Sequence, residues 1–244
     1  SSGLKAAKKA SRTAADGLIG VASSDDYGVI IEVNSETDFV ARDDNFQGFV
    51  QHILTTAFDT RETKPVTLLA HNNLEAKRND LIQKIGENIL LRRVKSIKAP
   101  VVGSYLHTNC RIGVLVGLTG GSPELARHVA MHIAAVNPAV VRSNDMSKSV
   151  LEAEKDIYLA QARDSGKPEE IVQKMVAGRV AKFLKESSLI DQPFVKDPEK
   201  TIAQLVGEAN ADITEFIRFE VGEGIVKDEV DFAAEVAEQV KNIV

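Results

Sequence analysis

The sequence predicts an α+β fold with two repeated modules, each a small antiparallel sheet with helices, plus an inserted antiparallel helical hairpin and a C-terminal helix. Three observations support this prediction. Two hairpin signals each contain a glycine at the same position, and each hairpin is followed by helical patterns and a closing strand. The second half also contains a long additional segment with helical periodicity.

The composition indicates a globular chain. Of its 244 residues, 43% are hydrophobic and 27% charged, which is enough to build a core without a metal or a disulfide. The net charge of −5 argues against a nucleic-acid surface, and no stretch is long and apolar enough for a membrane span. The lone cysteine, Cys110, fits a reducing compartment, so we expect a cytoplasmic protein.

The first module begins with two β-branched runs, residues 17–21 and 27–33, around a polar turn. A second helix of this module ends at Gly86, and residues 88–94 are typical of a strand. The apolar stripes of the two helices are Phe46, Phe49, Val50, Ile53 and Leu54, then Leu74, Leu81, Ile82 and Ile85. This order predicts a hairpin, two helices and a third strand.

The second module repeats that order. Residues 101–106 and 112–116 form the second hairpin signal, in which Gly113 stands where Gly28 stands in the first. Ser122 is the predicted N-cap of the next helix, and residues 213–221 alternate as a strand. The helical stripes here are Leu125, Val129, Met131, His132 and Ala135, then Ile202, Leu205, Val206 and Ala209.

The connection between the two helices of the second module is much longer than the corresponding connection in the first module. Residues 150–161 and 169–184 each carry a helical stripe, and the Gly166 to Pro168 break between them is typical of an αα-hairpin. We interpret the pair as a projecting coiled coil, with two helices packed flat on the core as the alternative. Whether the hairpin mediates dimerisation is left open.

The chain ends in an amphipathic helix in which Val236, Val240 and Ile243 lie on one face. This helix either folds back on the core or docks on a partner. The predicted boundaries are 1–14 for a linker or helix, 15–100 for the first module, 101–143 with 190–224 for the second, 144–189 for the hairpin and 225–244 for the C-terminal module.

Signatures of catalysis are weak. The sequence contains no phosphate-binding glycine loop and no G-x-S-x-G nucleophile motif. Cys110 near His107 is a remote nucleophile candidate. His128 and His132 have the spacing of metal ligands on a helix, but further ligands and the glutamate of a metalloprotease are missing. We therefore expect no metal and no cofactor, with a His128/His132 metalloenzyme as the remote alternative.

The turn after the second predicted strand contains a bulky aromatic, Phe39. Thr37 and Asp38 have the character of a helix N-cap, and burial of Phe39 in its own core is not obvious from the pattern. The residue is either a staple packed beneath the hairpin or an exposed anchor that fills a partner's pocket.

Several sequence blocks, in order along the chain, carry a specific resemblance. They are residues 5–10, 15–17, 32–34, 84–88, 111–116, 128–135 and 222–224, together with Thr37, Asp38, Phe39, Val40 and Ala41. On these blocks the chain resembles the elongation factor Ts family of bacterial guanine-nucleotide exchange factors. The match runs from about residue 5 to residue 232.

The resemblance implies a protein partner, elongation factor Tu, and release of GDP from that partner, with no covalent chemistry and hence no enzyme activity in the usual sense. It further implies that the first module and the C-terminal module contact the nucleotide-binding domain of Tu, and that the second module contacts a distal β-domain. Thr37, Asp38, Phe39 and Val40 become the expected exchange element, hereafter the wedge segment. His128, Met131 and His132 become a secondary contact, and Val236, Val240 and Ile243 a third.

Two features set this chain against the family pattern. Family members begin with a small ubiquitin-associated-like domain, and we expect this chain to start in the linker after it. The long helical hairpin is similar to the bacterial form and not to the mitochondrial one. A scaffold or chaperone-like binder of a translation factor, without exchange activity, is the alternative function.

Overall fold

The computed structural model describes residue 9 and residues 11–227, and it confirms the α+β class. The strands are β1 Asp16–Ser23, β2 Tyr27–Ser35, β3 Leu90–Lys98, β4 Val101–Leu106, β5 Ile112–Leu118, β6 Pro193–Phe194, β7 Asp197–Thr201 and β8 Ile213–Glu220. The helices are α1 Asp38–Ala41, α2 Asp44–Thr60, α3 Pro65–Ala70, α4 Leu74–Ile85, α5 Pro123–Val136, α6 Lys148–Arg163, α7 Glu169–Ser187 and α8 Ile202–Gly207. Short 3-10 turns occupy His71–Asn73, Ser143–Asp145 and Leu189–Asp191.

Two three-stranded antiparallel sheets have the same arrangement. Their orders are β1-β2-β3 and β4-β5-β8, so in each the hairpin is extended by a later strand beside its second member. A β-bulge interrupts the pairing between Glu32 and Val33 in one sheet and between Gly117 and Leu118 in the other, four residues after Gly28 and Gly113 respectively. The internal similarity of the sequence is therefore present in strand order and in the placement of the bulge.

The two sheets pack face to face and share a core. This core includes Ile19, Ile30, Ile97, Val102, Leu115 and Phe219, which come from both sheets. Glycine is needed where the sheets approach: a Cβ on Gly28 would lie 2.7 Å from the Leu115 side chain, and one on Gly113 would lie 2.6 Å from that of Ile19. The repeated glycines thus serve the junction between the two halves.

Helices cover the outer face of each sheet. The predicted stripe of α2 is fully confirmed as buried, and Asp43 caps the start of this helix by accepting hydrogen bonds from the Asn45 and Phe46 amides. For α5, Ser122 is the N-cap as predicted, but the buried face differs from the prediction: Met131 is half-buried and Ala135 exposed. By helical position Met131 and Ala135 share the polar side of α5 with Arg127 and His128, so the predicted stripe combined residues from two sides of an amphipathic helix.

The predicted helical hairpin is present as α6 and α7, joined by the expected break at Gly166 to Pro168. The pair has its own small apolar cluster, formed by Tyr158, Leu159, Ala162, Val172, Met175, Val176 and Val180. Val150 and Ile157 of the predicted stripe are nevertheless 44% and 49% exposed. Coiled-coil packing of this pair stays a prediction.

No helix within residues 11–227 is both long and apolar enough to cross a bilayer. The predicted C-terminal helix, with Val236, Val240 and Ile243, lies outside the described residues and stays a prediction.

Candidate partner-binding site

Phe39 projects into solvent from the short helix α1, with 77% of its surface exposed. No other phenylalanine or tyrosine that the structure describes is exposed to this degree. The alternative in which Phe39 is a staple beneath the hairpin is therefore wrong. An aromatic ring that lies mostly in water adds little to the stability of the fold, which leaves Phe39 available to another molecule.

The rest of the wedge segment faces inward or is tied down. Val40 is buried in the core of the first module, which lies between its sheet and helices α2 and α4, so it fixes the segment to the fold and does not offer its side chain to a partner. Thr37 is the N-cap residue of α1, as predicted, but its hydroxyl makes no cap hydrogen bond. Asp38 is the first helical residue and forms an exposed ion pair with Arg42 at 3.2 Å.

A reciprocal set of hydrogen bonds holds the turn before Phe39. The Glu36 and Thr37 amides both donate to Glu87 Oε2 at 3.0 Å, and the Thr37 hydroxyl donates to Glu87 Oε1 at 2.8 Å. In the other direction the backbone amide of Asn88 donates to Glu36 Oε1 at 2.7 Å. We call Glu36, Thr37, Glu87 and Asn88 the clasp; it joins the end of β2 to the segment that follows α4.

The end of α4 explains why the clasp can form. Gly86 takes the left-handed conformation, φ +88°, and its amide closes the helix on the Ile82 carbonyl. This reversal directs Glu87 and Asn88 back toward the end of β2, with Asn88 almost fully buried. Sequence reasoning placed the helix end at Gly86, but it gave Glu87 no role and counted Asn88 in the following strand, which begins at Leu90.

Two clefts flank the wedge segment. The smaller, about 440 Å³, lies beside Phe39 and is lined in part by Lys84, Ile85 and Glu87. The larger, about 770 Å³, is shared by Asp38, Ala41 and Arg42 with β1 and with the β4–β5 turn. Both clefts carry charged groups of each sign at the rim, which suits recognition of a protein surface.

The Cys110/His107 nucleophile candidate gains no support from the geometry. Cys110 is half-buried in the β4–β5 turn, where it takes a left-handed conformation with φ +55°. The His107 ring lies 3.1 Å from the Tyr105 hydroxyl, and the contact between His107 and Cys110 joins backbone atoms.

The three residues of the predicted secondary contact differ in how deeply they are buried. His132 is fully buried on α5, so its side chain is not available for direct contact, and this part of the prediction is corrected by the structure. His128 and Met131 on the same helix are half-buried and retain accessible surface. His128 Nε2 lies 3.2 Å from the Lys196 ammonium, which donates to it.

Hydrogen bonds determine the state of the His132 ring. Its Nδ1 accepts from the Val195 amide at 3.2 Å, so Nε2 carries the proton and donates to Gln192 Oε1 at 2.9 Å. Burial lowers the pKa of His132, and the Gln192 contact opposes this shift only in part. Both nitrogens are thus engaged with protein groups, which leaves His132 no lone pair for the metal of the remote alternative. Within the described ranges no group of three potential ligands surrounds a metal position.

A buried carboxylate that sequence reasoning missed connects the two halves. Glu32 on β2 has no exposed surface and receives hydrogen bonds from Arg92 at 3.2 Å, from Arg93, and from the Gly222 amide at 2.8 Å. A buried charge is tolerated only when it is paired in this way. Because Gly222 follows β8, Glu32 ties the segment that leads to the C-terminus to the first sheet. Its position among β-branched residues was the available signal.

Comparisons with known proteins agree with one another. A sequence model of the family described as elongation factor TS matches residues 36–223. Elongation factor Ts of Hahella chejuensis is 57% identical over 99% of this chain and 85% of the relative. That of Saccharophagus degradans is 59% identical over 98% and 83%, respectively. The chain therefore belongs to the elongation factor Ts family, a family of translation elongation factors and not of conventional enzymes.

Proposed function

We propose that the chain binds elongation factor Tu in its GDP form and accelerates release of GDP, after which GTP can bind. The observation that carries this proposal is the exposure of Phe39, whose aromatic side chain is 77% exposed at the start of α1. The residues on either side of it are buried, as Val40 is, or hydrogen-bonded, as Thr37 is. Rigid presentation of an aromatic ring is the arrangement that fills a pocket at low entropic cost.

Exchange requires only a difference in affinity. If the chain binds nucleotide-free Tu more tightly than Tu·GDP, linkage requires that the bound chain weakens GDP by the same factor. Each tenfold weakening corresponds to about 1.4 kcal/mol of coupling. Contacts of the size that one buried aromatic supplies can therefore change GDP affinity by orders of magnitude.

The wedge segment is the element that supplies this coupling. Phe39 enters between helices of the partner and displaces the groups that hold Mg²⁺ and the phosphates. GDP is a polyanion held largely by electrostatic contacts, so loss of the Mg²⁺ contacts weakens its binding. Asp38 brings an exposed carboxylate to the same place and repels the phosphates as the ring enters.

Two further surfaces complete the proposed interface. His128 and Met131 on α5 form the secondary contact, and the face with Val236, Val240 and Ile243 forms the third. The anchor at Gly222 supports this arrangement, because Glu32 fixes the point from which the C-terminal segment leaves the core. The division into modules and hairpin follows the boundaries predicted above, except that Leu189 belongs to the second module, because its side chain is buried in the core of that module. The hairpin folds as a coiled coil, and its exposed Ile157 is available for further contacts or dimerisation.

The direct test is release of a fluorescent GDP analogue from Tu, followed by stopped flow with and without the chain. We expect a release rate that rises with the concentration of the chain and then saturates. Binding without faster release would support the scaffold alternative and refute exchange. A His128→Asn variant is the partner-surface control, and we expect it to weaken binding without altering the limiting release rate.

A further inference from the structure

We propose that Glu87 is a positioning residue for nucleotide exchange: its carboxylate holds the turn before α1 so that Phe39 is presented in one orientation. This inference rests on the proposed function and assigns a role to a side chain that itself need not touch the partner. The structural observation is that both carboxylate oxygens of Glu87 are used by the two residues immediately before Asp38 and Phe39.

The backbone alone would not hold this turn. The β2 ladder ends at Ser35, and α1 has a single turn of four residues. So short a helix is marginal without tertiary support. The Glu36 and Thr37 amides lie between the two elements and need acceptors, and Glu87 supplies one oxygen to both. Glu87 thus provides a long-range restraint at the position where regular secondary structure provides none.

The contacts around the turn make the restraint directional. Val40 anchors the far side of Phe39 in the core, and the clasp anchors the near side. In return, Glu36 accepts from the Asn88 amide at 2.7 Å, so the clasp resists sliding of either segment past the other. With both neighbours held, the Phe39 ring retains only its own side-chain rotations before it binds, which lowers the ordering cost of binding.

A competing role for Glu87 is direct contact with the partner, because its side chain is half-buried and lines the cleft beside Phe39. Glu87→Gln separates the two roles. The carboxamide oxygen can accept from both amides, and its nitrogen can donate to the Thr37 hydroxyl, which then acts as an acceptor. Positioning therefore survives in Glu87→Gln and is lost in Glu87→Ala, whereas a role that depends on negative charge is lost in both.

The first experiment is a double-mutant cycle in the GDP-release assay. We expect Glu87→Ala to slow exchange about five- to tenfold when Phe39 is present, and less than about twofold in the Phe39→Ala background. Glu87→Gln should stay within about twofold of the parent chain. Equal effects of Glu87→Ala in both backgrounds, or a Glu87→Gln variant as slow as Glu87→Ala, would overturn the proposal.

The second experiment uses the chain alone. The sequence contains no tryptophan, so Phe39→Trp introduces a single reporter at the tip of the wedge segment. We expect Glu87→Ala to lower the time-resolved anisotropy of the introduced indole, and Glu87→Gln to leave it unchanged. An anisotropy that is the same in all three proteins would overturn the proposal. This measurement needs no partner, so it tests the positioning role of Glu87 even if the parent chain fails to accelerate GDP release from Tu. That failure would refute the proposed function instead.

Control variants separate positioning from general stability. Glu62 also accepts two backbone amides, those of Thr63 and Lys64, in a different connection, so Glu62→Ala should leave both exchange and the reporter unchanged. If Glu87→Ala fails to fold, Thr37→Val decides the question. It removes only the 2.8 Å hydroxyl contact, and we expect about a twofold slowing that disappears in the Phe39→Ala background. A slowing that persists in that background would refute positioning.

Discussion

Replacement of Phe39 by alanine separates partner binding from fold stability. The ring is 77% exposed, so the fold uses only about a quarter of its surface. A fully buried phenylalanine costs about 3–5 kcal/mol on truncation to alanine, which sets the expected loss for Phe39→Ala at about 1 kcal/mol of unfolding free energy. The unfolding midpoint should therefore shift by only a few degrees.

The loss in exchange should be much larger. A phenylalanine side chain presents about 200 Å² of surface, of which about 150 Å² is free to be buried in a partner pocket. At about 25 cal/mol per Å² this area corresponds to about 4 kcal/mol, an upper value because binding also orders the ring. We expect GDP-release catalysis to fall by between about tenfold and about a hundredfold.

The assay is stopped-flow release of fluorescent GDP from Tu, with thermal unfolding of each variant in the same buffer. Val66→Ala is the matched control, because Val66 is also an exposed apolar residue, at 85%, but lies on α3 and away from the wedge segment. It should change neither measurement. Normal exchange by Phe39→Ala would refute the wedge, and a large drop in its unfolding midpoint would show that the ring belongs to the core.

Four further predictions follow from individual contacts. Asp38→Ala should slow exchange severalfold in the same assay with little change in unfolding midpoint, because the side chain makes an exposed ion pair and no helix cap. Gly113→Ala should destabilise the fold by about 1–3 kcal/mol in urea, whereas Gly178→Ala, in an open helical site, should stabilise it by about 0.5–1 kcal/mol. Because burial lowers the pKa of His132, the neutral ring stabilises the fold at pH values above 6.5, the ordinary pKa of histidine, and this stability is lost as the pH falls below 6.5. Denaturation from pH 8 to about pH 5 should show the decrease in unfolding free energy, and His132→Gln should abolish this pH dependence. Replacement of residues 148–185 by a short linker should preserve cooperative unfolding by calorimetry, since the hairpin packs largely on itself. Deletion through Gln192 should abolish it, because Leu189 and Gln192 are buried inside the second module.

The elements that hydrophobic periodicity and helix-capping residues specify could be predicted from the sequence. Gly86 ends α4 and Ser122 begins α5 as expected, since both act through local backbone geometry. The repeated hairpins were also visible, because Gly28 and Gly113 occupy equivalent places in two continuous apolar runs. Local rules were sufficient where the contacts were local.

The contacts that the sequence did not reveal join residues far apart in the chain. Glu87 lies 50 residues from Thr37, and Glu32 lies 190 residues from Gly222, so no short pattern indicates either hydrogen bond. The burial of His132 depends on the turn at Gln192, which a helical stripe cannot show. Exposure of Phe39 was one of two open interpretations, and the tertiary structure decided between them.

The rate of GDP release from Tu at saturating concentrations of this chain is the measurement that tests the central claim most directly. The account predicts a saturable acceleration that the parent chain shows and Phe39→Ala largely loses, with both proteins folded at the assay temperature. A parent chain that binds Tu, as measured by calorimetry, yet leaves the GDP release rate unchanged would contradict it.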